Sequence, residues 1–368
     1  MSKAFEFPGF IDVHVHFRDP GMPDAETTST GLAAASRGGF AAVVTMPNTT
    51  PACDSPESIN YQISAAQGSN TLLLPSACIT KGRLGHEVAD LEALAEAGAA
   101  FFTDDGSFVA DDTVMEEAMR CAAKLGMAVC QHAMDPKEVG SGVIRDCALA
   151  RAKHLPIIPA SAETVAIRRD ISLCRVTGCR LHIQHISTAE GVSLVRDAQK
   201  EGLPLSAEAT PHHLLLSCDD IQADDANYKM APPLGNREDR AELRRAVKDG
   251  VLMFATDHAP HPARTKTLGF AASANGIIGL ETAVPITYAV MVEEEGMSVD
   301  AWARAWSEMP RSILSASAAA KFAAHGVRTR VVVGERRKID ISNFASRSRN
   351  CPYDGLEFDA FPYLTAHS

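Results

Sequence analysis

Residues 10–18 read Phe-Ile-Asp-Val-His-Val-His-Phe-Arg, and this short segment decides how the rest of the chain is interpreted. An apolar run, Phe10–Val15, carries His14 near its end and is followed directly by His16. Side chains two residues apart on a strand point to the same face, so both imidazoles can ligate one cation. A lone His-x-His pair is equally compatible with a structural role. The segment therefore predicts a metal-binding strand end only if other strands also end in ligands.

Seven further apolar runs follow the first one, separated by Ala/Leu-rich amphipathic stretches such as 89–97, 112–125 and 161–169. Short apolar runs that alternate with helical patterns predict parallel strands with crossover helices. We therefore expect an α/β fold, a (β/α)8 TIM barrel over residues 1–325, with 326–368 as a C-terminal extension. The seven runs are Phe40–Met46, Leu72–Ala77, Ala99–Thr103, Met127–Gln131, Arg180–Gln184, Pro204–Ala209 and Leu252–Thr256.

The net charge, the apolar runs and the cysteines indicate which binding partners and which cellular compartment to expect. The formal net charge of −11 disfavours nucleic acid and anionic membrane surfaces, because either would be repelled. No apolar run reaches the roughly 18 residues that a membrane span needs, and the first residues lack a signal-peptide core. The nine scattered cysteines form no Cys-x-x-Cys pair, which predicts a reduced, cytoplasmic protein.

Further ligand-type residues follow other runs. His132, His185 and Asp257 come at the ends of the fifth, sixth and eighth runs. In a barrel the carboxyl ends of all strands meet on one face, so these groups would join the first two histidines. Four imidazoles and a carboxylate exceed what one catalytic zinc needs, which indicates two metals sharing a bridging group. Asp104 or Asp105 could bridge, and alternation along the strand leaves that choice open.

Other polar residues near the predicted mouth have both functional and ordinary interpretations. Asp257 could act as general base as well as ligand, or simply cap a helix. Arg18 suits bidentate capture of a substrate carboxylate, or it could pair with Asp19 or Asp24 at the surface. Asn48 could add a hydrogen bond to substrate or sit in a Pro-Asn turn.

The remaining histidines of these runs are more doubtful ligands. His212, His213 and His258 lie beside prolines at strand ends, where a histidine often only hydrogen-bonds its neighbours. His182 precedes His185 by three residues, so we expect it on the other face of its strand, in a packing role. Residues 264–275 are Ala/Thr/Gly-rich and form a candidate lid.

Taken together, the motifs resemble the class I bacterial dihydroorotases of the amidohydrolase superfamily. The resemblance covers residues 8 to 282 in the family's order. The matching segments are PGFIDVHVHFRDPG from Pro8, MPNTTP from Met46, FTDDG from Phe102, QHAMD from Gln131, LHIQHIST from Leu181, EATPHHL from Glu208, ATDHAPH from Ala255 and GIIGLET from Gly276.

This resemblance implies a set of roles and a reaction. N-carbamoyl-L-aspartate would cyclise reversibly to dihydroorotate, a step of pyrimidine biosynthesis, on two divalent cations expected to be zinc. The implied roles are His14 and His16 on one metal, His132 and His185 on the other, Asp105 as the bridge, Asp257 as catalytic base and ligand, and His16, Arg18, Asn48, His261, Asn275 and Gly276 at the substrate.

The chain also departs from the family pattern. Ala231 and Gly235 stand where the family usually has an Asn that touches substrate and an Arg, and the family's small β domain is expected to be reduced or absent here. Two rival functions follow: a related hydantoinase- or allantoinase-like cyclic amidase, or a catalytically impaired scaffold for aspartate transcarbamoylase. The former enzymes carry a carboxylated lysine on the fourth strand, which FTDDG lacks. A homodimer and a transcarbamoylase complex are the partner states that the resemblance leaves open.

Overall fold

The computed structural model describes residues 2–365, so Met1 and the last three residues of the predicted C-terminal extension lie outside it. Eight parallel strands coincide with the eight apolar runs, although the fourth and eighth are only two residues long. The predicted α/β class is confirmed. The strands are β2 (Phe10–Val15), β3 (Phe40–Thr45), β4 (Leu72–Pro75), β5 (Phe102–Thr103), β6 (Ala128–Gln131), β7 (Arg180–Ile183), β8 (Leu205–Ala209) and β9 (Met253–Phe254), numbered after an N-terminal strand, β1 (Lys3–Pro8).

The parallel strands pair in chain order within two sheets, β2-β3-β4 and β5-β6-β7-β8-β9. Single parallel bridges connect the sheets at both seams, between Ala77 and Phe102 and between Val15 and His258. At the second seam His16 N donates to the carbonyl of His258 at 2.8 Å. The carboxyl ends of the first and last strands are therefore held side by side.

Helices follow most strands, and side-chain caps define where several of them begin. Thr27 forms a capping box at α1 and Asp111 accepts from two backbone amides of α4, which satisfies otherwise unpaired donors. The helices are α1 (Thr28–Arg37), α2 (Pro56–Ala65), α3 (Leu91–Ala97), α4 (Asp112–Lys124), α5 (Pro136–Val139), α6 (Ala148–Lys153), α7 (Ser161–Thr177), α8 (Ala189–Lys200), α9 (Pro211–Leu215), α10 (Arg237–Lys248), α11 (Ala263–Lys266), α12 (Ala283–Thr287), which continues as a π-helix (Tyr288–Glu294), α13 (Val299–Trp306), α14 (Glu308–Arg311) and α15 (Ala316–His325). Among residues 2–365, none of these helices combines the length and apolar character needed to cross a bilayer.

A small antiparallel sheet lies at the two ends of the described chain. It has the order β1-β10-β11, where β10 is Arg328–Lys338 and β11 is Glu357–Thr365. Residues 3–8 were expected to belong to the barrel, whereas they pair with β10 from Lys3↔Val333 to Pro8↔Arg328. A small β sheet is therefore present. The predicted division at residue 325 stays a prediction, since the sheet draws on both ends of the chain.

Tertiary contacts fix this small sheet to the parallel strands. Thr329 Oγ1 accepts from Phe10 N at 2.9 Å and donates to the carbonyl of Gly39 at 2.7 Å. Phe7 stacks on Phe10, and both rings meet Trp302 edge-on. Aromatic burial of this kind contributes both apolar area and directional ring contacts. The contact stabilises the start of β2, the strand that carries the His-x-His motif.

Candidate metal centre and active site

One cavity of about 250 Å³ opens at the carboxyl ends of the parallel strands. It brings together residues from the segments that follow all eight parallel strands, as the sequence predicted for this face. Its lining comprises His16, Arg18, Asn48, Arg83, Asp105, Gly106, His132, His185, Ala231, Asp257, Ala259, His261, Asn275 and Gly276. Of the residues predicted for the site, His14 alone is absent from this lining, because it lies fully buried below it.

An irregularity in β2 turns both histidines of the first motif toward this cavity. Ile11 and Val13 pack in a cluster shared by side chains of several strands, while Val15 packs in the core that includes the surrounding helices. The side chains that face inward therefore have odd residue numbers up to Val13 and even numbers from His14 onward. The pairing of β2 with β3 changes register at the same place, between Asp12 and Val15. Because of this shift, His14 and His16 face inward together after two inward apolar residues.

The Asp105 carboxylate lies among four imidazoles. Its Oδ1 is 3.3 Å from His14 Nε2, 3.5 Å from His132 Nδ1 and 3.6 Å from His185 Nε2, and its Oδ2 is 3.3 Å from His16 Nε2. Ligand atoms about 2.0–2.2 Å from a tetrahedral zinc are separated from each other by roughly 3.3–3.6 Å. The observed spacing therefore matches two donor groups that share one carboxylate.

Unsatisfied polar atoms support the same interpretation. His14 Nε2 and Asp105 Oδ1 are buried and make no hydrogen bond within residues 2–365. Buried polar atoms nearly always have partners, so two unpartnered atoms that face each other at 3.3 Å fit donors to a shared cation. Two sets of three possible ligands meet at this point: His14, His16 and Asp105, and Asp105, His132 and His185. The residues present fit a pair of divalent metal ions.

The structure separates Asp104 from Asp105, a choice the sequence left open. Asp104 accepts hydrogen bonds from the backbone amides of Ile79 and Thr80 and from the Thr80 hydroxyl. It therefore holds the turn after β4, and it is absent from the cavity lining. Asp105 N donates to Thr103 Oγ1 at 3.0 Å, which helps to keep the next carboxylate inward.

Asp257 lies against the first histidine pair. Its Oδ1 is 3.0 Å from His16 Nε2 and 3.5 Å from His14 Nε2. Burial by itself would raise the pKa of this carboxyl, but the neighbouring His14 and the hydrogen bond to His16 outweigh it and hold the pKa below its ordinary value. Asp257 is thus ionised at neutral pH. Its backbone is left-handed, at φ 48°, an uncommon conformation found preferentially at functional sites.

A buried carboxylate that the sequence analysis did not select, Glu208 on β8, orients the centre from below. Its Oε1 is 2.6 Å from His14 Nδ1, and its Oε2 is 3.0 Å from His182 Nε2. Burial by itself would raise the pKa of Glu208, but the charge of His14 and the hydrogen bonds from His14 and His182 outweigh it and hold this pKa at about 2. A carboxylate on the far nitrogen of a ligating histidine fixes its tautomer and raises its basicity.

His182 differs from its prediction. We expected it on the opposite face from the site, in a packing role. Instead it bonds Glu208 and Ser206 Oγ, the latter at 2.8 Å, and so extends the buried polar chain under His14. The physical reason is that His185 lies beyond the end of β7 with a left-handed backbone, so strict alternation does not hold between residues 182 and 185.

Arg18, Asn48 and His261 line one wall of the cavity. Arg18 Nη2 is 3.4 Å from His261 Nε2, while Asn48 Oδ1 is 2.9 Å from His16 Nδ1. The alternative surface pairings of Arg18 are not observed. Asp19 instead accepts from Thr28 and Tyr61, and Asp24 pairs with Arg264. Burial lowers the pKa of Arg18 to about 10, so it remains a cation at neutral pH.

The C-terminal extension braces this wall through Asn350, a residue with no sequence signal that could have revealed it. Its Nδ2 donates to the carbonyls of Ala259 and Gly276 at 2.9 and 3.0 Å, and its Oδ1 accepts from His261 N at 3.1 Å. Asn350 therefore joins the loop after β9 to the Asn275–Gly276 segment. The predicted C-terminal extension therefore helps to hold the wall of the site in place.

Two buried lysines fasten residues 264–275, the candidate lid. Lys229 Nζ donates to the carbonyls of Ala271 and Ser273 at 2.8 and 2.7 Å. Lys266 Nζ reaches the carbonyls of Ala274 and Gly276 at 3.0 and 2.9 Å. These contacts hold the segment against Lys229, which lies between α9 and α10 in the chain. Its role as a lid stays a prediction.

His212, His213 and His258 do not line the cavity. His213 bonds Thr210 Oγ1 and the carbonyl of Pro232, at 2.8 and 3.1 Å. His258 lies 3.4 Å from Glu26. His212 is buried, and its Nε2 has no hydrogen-bond partner within the described part of the chain.

Parallel strands that deliver imidazoles and carboxylates to one cavity define the class of this protein, a metal-dependent hydrolase. The family model described as dihydro-orotase-like matches residues 5–191, more than half of the chain. Dihydroorotase of Bacillus caldolyticus is 42% identical over 361 residues, covering 97% of this chain and 84% of that relative. Dihydroorotase of Listeria innocua is 41% identical, with 97% and 85% covered. The chain belongs to the dihydroorotase-like family, which confirms the resemblance drawn from its motifs.

Solved structures agree on the fold. L-hydantoinase (dihydropyrimidinase) from Arthrobacter aurescens superposes with a TM-score of 0.86 at 22% identity, covering 99% of this chain and 85% of that one. Dihydroorotase from Saccharomyces cerevisiae, in complex with 5-fluoroorotic acid, gives 0.74 at 17% identity with full coverage of both chains. At such identities the likeness concerns the fold alone. The curated relatives place this chain with dihydroorotases, and its activity is that of a metal-dependent cyclic amide hydrolase.

Proposed function

We propose that this protein interconverts N-carbamoyl-L-aspartate and dihydroorotate, with the roles assigned above to the cavity residues. The observation that carries the proposal is the Asp105 carboxylate among four imidazoles, with two buried orphan atoms at its centre. Dihydroorotase relatives over 97% of the chain support the substrate assignment. The hydantoinase-like rival has support from the fold only, at 22% identity.

We assign two divalent cations, zinc in the first instance, to this centre. His14 and His16 would hold one, His132 and His185 the other, and Asp105 both. When bound, the metals would polarise the ring carbonyl and supply a nucleophilic hydroxide at neutral pH. Imidazole and carboxylate donors suit zinc and neighbouring divalent metals.

The chain's own groups bind the substrate and move its proton. Arg18, Asn48 and His261 line the wall suited to the substrate carboxylate, and Asn275–Gly276 face the ring. In hydrolysis, ionised Asp257 would accept the proton of the nucleophile and deliver it to the ring nitrogen as the carbonyl carbon–nitrogen bond breaks. In cyclisation the same carboxylate would remove the ureido proton as that nitrogen attacks the carboxylate carbon, and would return the proton to the oxygen that leaves as hydroxide. Its contact with His16 keeps Oδ1 at the reacting centre.

Metal analysis combined with turnover tests this function. Purified protein should contain two divalent metals per chain and hydrolyse dihydroorotate in preference to hydantoin, dihydrouracil and allantoin. Asp257→Asn should retain both metals and lose about 10²–10⁴-fold in turnover, as for other general acid–base groups. Normal metal content with near-wild-type turnover in Asp257→Asn would refute its role. Full metal occupancy without any dihydroorotate turnover in the wild type would favour the transcarbamoylase-scaffold alternative.

Three finer assignments accompany this proposal. We infer one closed (β/α)8 barrel, which the bridges at both seams support. A cytoplasmic location fits the nine free cysteines. Measurement of the molar mass in solution, with and without transcarbamoylase, would detect a homodimer or a transcarbamoylase complex.

A further inference from the structure

Arg83 is a second guanidinium in the active-site cavity that no sequence motif indicated. It belongs to the 3₁₀ turn Lys81–Arg83 after β4, and its backbone is left-handed at φ 59°. A bulky residue seldom adopts this conformation, and such outliers concentrate at functional sites. The side chain lines the cavity together with Arg18, Asp105 and Asp257.

The hydrogen bonds of Arg83 leave part of its guanidinium free. Nη2 donates to the carbonyl of Asp105 at 2.8 Å and to Ser107 Oγ at 2.9 Å. These acceptors are neutral, and no carboxylate of residues 2–365 lies within salt-bridge distance of Arg83. Nε is buried without a hydrogen-bond partner in the same part of the chain. A guanidinium held in place but short of an anionic partner is suited to receive one from a ligand.

The neighbours of Arg83 indicate which ligand group it would meet. A Cβ added at Gly106 would lie 3.3 Å from both Arg83 Nη2 and Asn48 Nδ2, so these two nitrogens lie close together at the cavity wall. Arg83 is also near enough to Arg18 to contribute, after burial, to lowering the pKa of Arg18. The wall proposed for the substrate carboxylate thus continues from Arg18 through Asn48 to Arg83.

We propose that Arg83 is a further substrate-binding residue that holds the carboxylate of dihydroorotate together with Arg18 and Asn48. The inference rests on the proposed function. Asp105 and Asp257 in the same cavity would repel a carboxylate, and a second cation on this wall offsets that repulsion. A purely structural Arg83 would instead act through the Asp105 carbonyl and position the bridging carboxylate.

Matched variants separate these two roles. Arg83→Gln removes the cation, and Arg83→Lys keeps it as a point charge. Lys81→Gln removes the same charge from the same turn, where Lys81 pairs with exposed Glu87 and does not line the cavity. The readouts are KM and kcat for dihydroorotate, metal content, and inhibition constants of orotate and orotamide, two planar ring analogues that differ in one negative charge.

We expect Arg83→Gln to raise KM and the inhibition constant of orotate about 10- to 100-fold, the effect of losing a hydrogen bond to a charged group. The inhibition constant of orotamide, the metal content and the Lys81→Gln protein should change by less than about 2-fold, and Arg83→Lys should recover part of the orotate affinity. Equal weakening of orotate and orotamide, or loss of metal in Arg83→Gln, would overturn the assignment. Absence of turnover in the wild type would count against the proposed function instead, since orotate and orotamide binding can still be compared directly.

Discussion

Replacing Glu208 by Gln tests whether the buried carboxylate under His14 controls metal affinity. The substitution keeps the size and one acceptor oxygen but replaces the other oxygen by an amide that donates. One of the two contacts, to His14 Nδ1 at 2.6 Å or to His182 Nε2 at 3.0 Å, therefore loses its acceptor. The imidazole of His14 also loses the negative charge that fixes its tautomer.

The expected loss of metal affinity follows from the contact between Glu208 and His14. Loss of a hydrogen bond to a charged group costs about 1.5–3 kcal/mol. Supporting residues around metal sites typically contribute 10- to 100-fold in metal affinity, which is roughly the same free energy. Since Glu208 touches His14 but neither His132 nor the His185 side chain, the metal at His14 and His16 should weaken more than the other. Dialysis should then leave about one metal per chain where the wild type keeps two.

Glu163→Gln is the matched control for this substitution. Glu163 is equally buried and accepts from the amides of Ser187 and Thr188, at 2.9 and 3.0 Å, and from both hydroxyls. It contacts no predicted metal ligand, so Glu163→Gln should lose stability but not metal affinity. Competition titration with a chromophoric chelator gives both affinities, and urea unfolding gives the stability. Unchanged metal affinity in Glu208→Gln, or equal loss in Glu163→Gln, would refute the role of Glu208.

Three further outcomes are expected. Asp105→Asn should lose both metals in elemental analysis. Asp104→Asn should keep both metals and lower only the free energy of unfolding. Similar metal content in the two variants would contradict the assignment of Asp105 as the bridge. Gly276→Ala should lower the free energy of unfolding by about 1–3 kcal/mol, because φ is 140° and the added Cβ would lie 2.9 Å from His261 Cδ2. The KM for dihydroorotate should rise more than kcat falls. Unchanged kinetics would argue against this contact. In metal-free protein, ionised Glu208 stabilises the fold above its ordinary pKa of 4.5, because its pKa in the folded state is lowered to about 2. Roughly 3 kcal/mol of the free energy of unfolding should therefore be lost as the pH falls toward 2. Urea unfolding should show a smaller loss over this pH range in Glu208→Gln.

The sequence alone determined the strands and the ligands that follow them. Runs of apolar residues end in His14-Val15-His16, in His132, in His185 and in Asp257, and each run is a strand in the structure. This information is local, because a strand and the polar residue at its end are adjacent in the chain. Parallel connection then brings the ends to one face, so a constellation spread over more than two hundred residues could be predicted.

Tertiary structure decided which neighbouring groups turn inward and what supports them. Asp104 and Asp105 are chemically identical, and hydrogen bonds from Ile79 N, Thr80 N and the Thr80 hydroxyl hold the first one away from the cavity. The contacts of Glu208, Arg83 and Asn350 likewise depend on distant partners, and no spacing along the chain encodes them. Residues 3–8 became a strand of the C-terminal sheet for the same reason. Hydrogen bonds and charge interactions act over a few ångströms in space, so they select among residues that the chain order cannot distinguish.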